Sequence, residues 1–274
     1  MRVLVTGGSG RVGRYVVEEL VQGGHDVTSL DLVRPQNPVP GVRTILGDAA
    51  LAEDAYGAIS YIRADAVIHM AAWSDPGIVA DTRTFRDNVS ATFNLLHVSA
   101  AQRVQRVICA SSAQVYGFAK LAPVYARVDE EHPLRPLNSY AISKVACEQV
   151  ADYFAQRNEM DVLSFRIMGA RAPEDLPGEI EALAAQPEKG RFLLWTRTDA
   201  RDVAIACRQA IEVEAVASGA YNITAKNNAL NRDQRELLAT YCPQTELHDD
   251  LAGVLSPMTC AKAFAAFGYD PKYR

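Results

Sequence analysis

Short apolar runs alternate with amphipathic helical patterns over the first 165 residues of the chain. The runs predict strands at 2–6, 26–30, 42–46, 64–72, 106–111 and 161–167, and the stretches 51–62, 84–102 and 140–157 predict helices. The helix after the first strand shows the pattern most clearly, with Val12, Val16, Val17 and Leu20 at helical spacing. Buried strands that alternate with helices are typical of a parallel sheet covered on both faces, so we predict an α/β fold.

The remainder of the chain follows a weaker pattern. Prolines and glycines at 173, 177, 178, 187 and 190 predict loops between short elements, followed by helices at 201–213, 232–241 and 259–267 and a strand at 220–224. A chain of 274 residues can bury one full core. We therefore predict a main domain over 1–168 and a small substrate-binding lobe over 169–274, interleaved with the end of the sheet.

A glycine turn follows the first predicted strand and leads into a helix. Gly7, Gly10 and Gly13 recur at every third position. Glycines keep such a turn tight and let backbone amides approach a pyrophosphate, whose charge suits the positive end of the helix. Because a structural turn also explains a lone glycine triplet, the order of strand, turn and helix carries the prediction of a dinucleotide site.

Two aspartates that follow the next strands extend this prediction. Asp31 ends the second strand, where a carboxylate can accept hydrogen bonds from the ribose hydroxyls of adenosine and repel a 2′-phosphate. We therefore predict NAD rather than NADP, the alternative being that Asp31 caps the strand and Arg34 pairs with a 2′-phosphate. Asp48 follows the third strand and is predicted to contact the adenine ring, unless it is a solvated turn residue.

The fourth predicted strand ends in small residues. Ala71 and Ala72 would let a cofactor pass close to the backbone. His69 lies in the same apolar run, where a histidine is more often a hydrogen-bonded core residue than a catalytic one. We therefore leave His69 out of the predicted mechanism.

Candidate catalytic chemistry lies in the stretch 139–144. Tyr140 and Lys144 are four residues apart, so in a helix both side chains lie on one face, one turn apart. An ammonium group at that distance favours the phenolate form of tyrosine, which makes it a usable base. Ser112, at the end of the fifth strand, could hold a carbinol or carbonyl oxygen while Tyr140 moves its proton.

Composition narrows the class of partner. A net charge of −5 without a block of lysine or arginine gives no electrostatic footprint for nucleic acid or an anionic membrane. No charged and apolar leader precedes the first strand, and no apolar run approaches membrane-spanning length. Five scattered cysteines indicate neither a disulfide framework nor a zinc site. We expect a cytoplasmic protein with a small-molecule partner and no metal.

Several motifs occur in an order typical of one family. They are Gly7-x-x-Gly10-x-x-Gly13, Asp31, Gly47-Asp48, His69-Met70-Ala71-Ala72, Asn88-Val89-x-x-Thr92-x-Asn94, Ser111-Ser112-Ala113-Gln114-Val115-Tyr116-Gly117 and Tyr140-x-x-x-Lys144. Together they resemble the extended short-chain dehydrogenase/reductases, the NAD-dependent sugar epimerase/dehydratase family. The resemblance is strong to about residue 170 and continues weakly through Arg166 and 201–204.

The resemblance implies a fold, a cofactor and a set of site residues. The fold would be a doubly wound Rossmann sheet, and Ser112, Tyr140 and Lys144 would be catalytic. Asn88 would support the nicotinamide side. The predicted NAD contacts are Gly7, Gly10, Arg11, Val12, Gly13, Asp31, Asp48, Ala71, Ala72, Asn88, Tyr140 and Lys144. Family members commonly dimerise through the helices that here begin near Thr84 and Ser139, so a homodimer with a four-helix bundle is expected.

Departures from the family narrow the reaction. The sugar dehydratases carry an aspartate and a glutamate directly after the catalytic hydroxyl residue, whereas this chain has Ala113 and Gln114. Dehydration is therefore not expected, and the stretch around Ser112 resembles that of the 4-epimerases. However, no asparagine lies near Gly169 to hold a nucleotide sugar, and the lobe is short. These two features resemble the small uronate and sugar 1-dehydrogenases.

The sequence therefore predicts an NAD-dependent oxidoreductase acting on a hydroxyl of a sugar or nucleotide sugar. We predict a 4-epimerase first. A sugar or uronate 1-dehydrogenase is the alternative, and a non-catalytic NAD-binding sensor is the third possibility. The predicted substrate contacts are Ser74, Ser112, Gln114 and Arg171. Arg171 is preferred to Arg166, Arg197 and Arg201 as the ligand of a substrate anion because it directly follows the sixth strand. Trp195 could stack on a sugar or belong to the core.

Overall fold

The computed structural model describes residues 1–75, 77–157 and 159–273. Its strands are β1 (Arg2–Thr6), β2 (Asp26–Asp31), β3 (Arg43–Leu46), β4 (Ala66–His69), β5 (Arg106–Ser112), β6 (Tyr125–Ala126), β7 (Asp161–Ile167), β8 (Ala170–Arg171), β9 (Thr198–Asp199), β10 (Gly219–Ile223) and β11 (Glu246–Leu247). Its α-helices are α1 (Gly13–Gln22), α2 (Ala52–Ile62), α3 (Asp81–Ala101), α4 (Ser139–Arg157), α5 (Leu176–Ala185), α6 (Ala200–Glu212), α7 (Gln234–Tyr241) and α8 (Ala261–Phe267). Two 3-10 helices lie at Ala113–Tyr116 and Pro187–Leu193.

Seven parallel strands form the main sheet in the order β10-β7-β5-β4-β1-β2-β3. The strand order reverses at β1, which lies between β2 and β4. The pairing of β1 with β4 runs from Val3 opposite Ala66 to Thr6 opposite His69. Ligands of such sheets bind beyond the carboxyl ends of the strands at the reversal point. The predicted doubly wound Rossmann fold is confirmed.

Helices cover both faces of this sheet because each carries an apolar stripe. On one face, α1, α6 and α8 bury Leu20, Val203 and Phe267 in one hydrophobic cluster. On the other, α2, α3 and α4 bury residues that include Ile59 and Leu95. Strands covered on both faces bury every side chain, which is why β4 is apolar along most of its length.

The fourth strand is shorter than predicted. The sequence predicts it over 64–72, but β4 ends at His69. The backbone amide of Ala71 instead donates to Thr6 Oγ1 at 3.3 Å, and the chain leaves the sheet there. The small residues that the sequence assigns to the strand therefore line the space beyond its end.

The last third of the chain is divided between the sheet and a separate cluster. β10 pairs with β7 and is the edge strand of the main sheet, and α6 packs beside α1. The remaining segments enclose a third hydrophobic cluster that includes Tyr116, Trp195 and Leu238. The division at residue 168 into a domain and an interleaved lobe stays a prediction.

The loops predicted near residue 177 are wrong, because α5 contains both Pro177 and Gly178. Proline is tolerated in the first turn of a helix, where its missing N–H would have no intrahelical partner. Of the two roles considered for Trp195, packing in the core is confirmed. Its side chain is fully buried, and its Nε1 donates to the carbonyl of Pro187 at 2.6 Å.

Among the described residues, no helix is long and apolar enough to cross a membrane. In the same part of the chain, no group of three His, Cys, Asp or Glu side chains is placed to hold a metal ion. All five cysteines are unpaired, and four of them are buried.

Candidate active site

The glycine turn after β1 has the geometry that close approach to a ligand requires. Gly7 has a φ of +72°, and a Cβ there would lie 2.7 Å from the backbone nitrogen of Ala71. A Cβ on Gly13 would overlap the carbonyl oxygen of Gly7. No side chain caps the first turn of α1. The amides of residues 14–16 donate to backbone carbonyls, so within the described residues the amide of Gly13 is the one left for an anion. The predicted need for glycine at these two positions is confirmed.

Asp31 lies at the carboxyl end of β2, on the border of the same space. Its Oδ2 accepts from the amide of Ser9 at 2.9 Å, and its Oδ1 accepts from the amide of Val33 at 3.2 Å. Each carboxylate oxygen has a further lone pair, so the group can still accept from ribose hydroxyls. Arg34, the alternative partner for a 2′-phosphate, is exposed and lies outside the residues that line the cleft.

Asp48 is a turn residue at the border of the same space, and its contact with the adenine ring stays a prediction. Its Oδ1 accepts from the amide of Ala50 at 2.9 Å, which makes it a turn residue. It also lines the cleft, next to Ala49 and Ala50.

These residues enclose a cleft of about 290 Å³ across the carboxyl ends of β1, β2 and β4. The cleft is lined by all the predicted NAD contacts other than Tyr140 and Lys144, namely Gly7, Gly10, Arg11, Val12, Gly13, Asp31, Asp48, Ala71, Ala72 and Asn88. Free amides, small residues and a ribose-binding carboxylate are the features of a dinucleotide site, so the residues present fit NAD.

Asn88 acts on this cleft through the backbone of Trp73. It is 2% exposed. Its Oδ1 accepts from the Trp73 amide at 2.9 Å, while its Nδ2 donates to the Trp73 carbonyl at 3.2 Å and to Ser143 Oγ at 3.0 Å. The side chain therefore joins the loop after β4 to α4. Sequence analysis anticipates Asn88 but not Trp73, which has no motif around it.

The three predicted catalytic side chains meet beyond the end of β5. Tyr140 and Lys144 are one turn apart on α4 and are 7% and 2% exposed. Lys144 Nζ donates to the carbonyl of Ala110 at 2.7 Å and lies 5.7 Å from the centroid of the Tyr140 ring. Ser112 Oγ accepts from the amide of Gln114 at 3.2 Å. The hydroxyl proton of Ser112 is thus left to donate to another oxygen.

A second cleft of about 150 Å³ opens above these side chains. It shares Arg11, Val12, Met70, Ala72 and Ser74 with the first cleft, so the two are continuous. Its lining includes the catalytic residues and all the predicted substrate contacts, namely Ser74, Ser112, Gln114 and Arg171. Phe192 and Leu193, which sequence analysis does not anticipate, form an apolar wall.

Comparison with known proteins agrees with this geometry. The model of the NAD dependent epimerase/dehydratase family matches residues 3–224. The chain belongs to this family. NAD is its cofactor, in keeping with the family and with the residues of the first cleft.

Curated members of the family differ in reaction. An L-arabinose 1-dehydrogenase (NAD(P)(+)) of Haloferax volcanii is 30% identical over 175 residues, which cover 61% of this chain and 66% of the relative. A UDP-glucose 4-epimerase of Lactobacillus helveticus is 32% identical over 158 residues, which cover 55% of this chain and 46% of the relative. The matched region is thus less than two thirds of each relative.

The fold is shared over the whole chain. A short-chain dehydrogenase/reductase superfamily protein of Agrobacterium tumefaciens, solved with bound NAD, superposes with a TM-score of 0.76 at 22% identity. The superposition covers 100% of this chain and 93% of that protein.

The sequence offers four arginines as possible ligands of a substrate anion. The structure places one of them in the lining of the second cleft and the other three outside it. Arg171 lines the second cleft, where Glu179 of α5 accepts from its Nε and the carbonyl of Ala170 accepts from its Nη1 at 2.9 Å. Arg197 and Arg201 lie outside that cleft, with their Nε groups paired to Glu179 and Asp199 at 2.8 and 3.0 Å. Sequence analysis does not predict a role for Glu179 because it does not predict helix α5.

Arg166, the fourth arginine, is a buried structural residue. It contacts Glu148 of α4 through Nε and Nη2 at 3.0 and 2.8 Å, and its Nη1 donates to Tyr116 at 3.0 Å. Glu148 also accepts from Ser111 at 2.5 Å, next to Ser112. The pair therefore fastens α4 to the end of β5 and does not face the cleft.

His69 is the core residue that the sequence predicts. It is 2% exposed, and its Nδ1 lies 2.7 Å from Thr6 Oγ1. Burial, with a smaller effect from the charge of Lys144, lowers the pKa of His69 to about 3. The imidazole is therefore neutral at physiological pH and is not poised as an acid or base there.

Proposed function

We propose that this protein oxidises a hydroxyl group of a single sugar, with NAD as the acceptor, and releases the product. The convergence of Ser112, Tyr140 and Lys144 in a cleft that opens into the cofactor cleft carries this proposal. A protein that only sensed NAD would need no tyrosine paired with a buried lysine beside such a cleft.

The three side chains divide the proton chemistry. Lys144, fixed by the carbonyl of Ala110, places an ammonium group near the ring of Tyr140. Tyr140 then accepts the proton of the substrate hydroxyl. Ser112 accepts from the amide of Gln114 with one of its two lone pairs, and its hydroxyl hydrogen is available to donate to the same substrate oxygen. Bound NAD supplies the hydride acceptor.

The size of the second cleft supports a small substrate. Its volume of about 150 Å³ is about half the 290 Å³ of the cofactor cleft, which is assigned to a dinucleotide. A single sugar ring suits such a space better than a nucleotide sugar does. The chain also has Ala113 and Gln114 where a dehydratase needs an acid pair, which agrees with a reaction that eliminates no water.

A UDP-sugar 4-epimerase is the second candidate. The Lactobacillus helveticus relative supports it, as does the epimerase-like stretch around Ser112. An epimerase would open the second cleft further to admit the nucleotide, and it would show no net consumption of NAD.

Absorbance of NADH distinguishes the two candidates. Purified protein with added NAD is offered free sugars, sugar acids and UDP-sugars, and the products are analysed by chromatography. Continuous NADH formation with one free sugar or sugar acid is the expected result. Isomerisation of a UDP-sugar without NADH formation would favour the epimerase, and no conversion in the whole panel would refute both.

We further propose that two copies associate through α3 and α4. Phe85, Phe93, Ile142 and Tyr153 lie on these two neighbouring helices and are 41% to 46% exposed. Burying such side chains would stabilise a dimer. Light scattering should report a dimer for the wild type and a monomer for Phe93→Lys, while Phe264→Lys, at an exposed position of α8, should remain dimeric. A monomeric wild type would refute this arrangement.

The cytoplasm remains the proposed location. The five unpaired cysteines support it, because thiols stay reduced there.

A further inference from the structure

The orientation of one side-chain amide in the second cleft is determined by the start of the catalytic helix. Asn138 immediately precedes α4, and its Oδ1 accepts from the amide of Ala141 at 2.7 Å. Only the oxygen of an amide group can accept such a bond, so the cap assigns Oδ1 and Nδ2 of Asn138. Its Nδ2 then faces Gln114 and donates to Oε1 at 3.1 Å.

This cap also determines how Gln114 faces the cleft. Because Asn138 donates, Gln114 must accept with its side-chain carbonyl oxygen. Its Nε2 group is therefore left to donate to a ligand. Gln114 lines the cleft beside Ser112. Within the described residues we find no partner for its Nε2, so the amide can donate to a bound molecule.

Arg171 offers a second donor in the same cleft. Its Nε and Nη1 are held by Glu179 and by the carbonyl of Ala170, and no bond within the described residues involves its Nη2. Asp75 is the carboxylate in the cleft lining; it is exposed and is paired with Arg11 at 3.6 Å. The lining therefore offers hydrogen-bond donors and positive charge to a substrate.

We infer that Gln114 is a specificity-determining residue that donates, together with Arg171, to the carboxylate of a sugar acid. A carboxylate accepts hydrogen bonds without donating any, so it matches two donors, one of them charged. A neutral sugar carries a hydroxymethyl group at the equivalent position and brings no negative charge to Arg171, which shares the single carboxylate of Glu179 with Arg197. This inference rests on the proposed function and names its substrate class.

The decisive measurement is the ratio of kcat/KM for glucuronate or galacturonate to that for glucose or galactose. We expect the wild type to favour the acid. Gln114→Glu should lower this ratio about 100-fold, because it replaces a donor by a negative charge, while its carboxylate can still accept from Asn138. Gln114→Met, which removes the donor without adding charge, should lower it about tenfold. Gln105→Glu, the same change at an exposed site before β5, should leave the ratio unchanged.

Asn138→Asp tests the hydrogen bond from Asn138 to Gln114 without changing a residue of the cleft lining. Aspartate still caps α4 but offers no donor, so Gln114 can reverse its amide and turn Oε1 toward the substrate. We expect the acid-to-neutral ratio to fall at an unchanged melting temperature. Equal losses for both substrates in Gln114→Glu, or an unchanged ratio in Asn138→Asp, would overturn the inference.

A binding experiment separates failure of this inference from failure of the proposed function. Glucuronate is titrated calorimetrically into the NADH complex of the Tyr140→Phe variant and of Tyr140→Phe with Gln114→Glu. Binding to the first complex, weakened about 100-fold in the second, supports carboxylate recognition even if no sugar is oxidised. Equal binding, or none to either complex, would refute it. Turnover of a neutral or nucleotide sugar in preference to an acid would refute it while preserving the redox function.

Discussion

The cofactor cleft and the substrate cleft are continuous, yet they are assembled differently. The first is lined mainly by residues of the first 91 positions, and its critical features are backbone amides, glycines and small side chains. The second draws side chains from segments far apart in sequence, around Ser112, Tyr140, Arg171 and Phe192. A cleft of backbone groups accepts the same cofactor in many proteins, whereas a cleft of side chains can change its substrate by single substitutions.

The largest effect should come from the residue that serves the chemistry of both clefts. Tyr140→Phe removes the proton acceptor, so turnover should fall by about 10³-fold or more, while NAD, which the other cleft holds, should still bind. Initial rates of NADH formation and calorimetric titration with NAD check the two expectations. Unchanged turnover would remove Tyr140 from the mechanism, and loss of NAD binding would show that the clefts are not separable.

A methyl group in the glycine turn should damage the cofactor cleft alone. In Gly13→Ala the new Cβ overlaps the carbonyl oxygen of Gly7, which displaces the turn. We expect the Kd for NAD to rise about 100-fold, equivalent to roughly 2.8 kcal/mol.

Gly57→Ala is the matched control for this variant. Gly57 is exposed inside α2 with open space around its Cβ position. Alanine there should stabilise the protein by about 0.5–1 kcal/mol and leave NAD affinity unchanged. Equal NAD affinity in the two variants would show that the turn does not need Gly13.

The preference for NAD over NADP should change by a smaller factor than the NAD affinity does in Gly13→Ala. Asp31→Asn removes the charge that repels a 2′-phosphate, so the ratio of NADP affinity to NAD affinity should rise about tenfold or more. Fluorescence titration with the two reduced cofactors measures this ratio. Asp26→Asn, at the exposed opposite end of β2, serves as the control. A ratio that does not move in Asp31→Asn would mean that another group selects NAD.

The effect that is smallest at neutral pH concerns stability under acid conditions. The folded state holds the pKa of His69 at about 3 against a usual value of 6.5. Between these pH values the unfolded chain binds one more proton at this site, so stability falls as the pH falls, by at most about 1.4 kcal/mol per unit. His69→Gln should have a shallower dependence of the free energy of unfolding on pH, measured by urea denaturation. Parallel curves would contradict this assignment.

The residues of the cofactor cleft could be predicted one by one because the sequence patterns that indicate them each span only a few positions. Gly7 and Gly13 are needed by one turn, and Asp31 ends the adjacent strand, so a short motif contains the relevant chemistry. The pair of Tyr140 and Lys144 is likewise a property of one helix. The same reasoning failed for α5, where Pro177 and Gly178 were read as loop residues although the first turn of a helix accepts both.

The substrate cleft depends on contacts between residues far apart in sequence, which no local sequence pattern predicts. Trp195 looked equally suited to a sugar and to the core until the packing of three segments buried it. Glu179 has no motif, yet it orients Arg171. The bond between Asn138 and Gln114 joins residues 24 positions apart, and it determines which atom of Gln114 can meet a ligand.

The sequence by itself therefore determined most of the strand and helix pattern of the first 167 residues, the dinucleotide turn and the helical spacing of the predicted catalytic pair. These follow from hydrophobic periodicity and from backbone sterics within a few residues. Only the tertiary structure decided how Arg171 is held at the cleft, how small the cleft is and which donors it presents. Those properties arise when parallel strands bring distant side chains to one edge of the sheet, where hydrogen bonding between them sets their orientation.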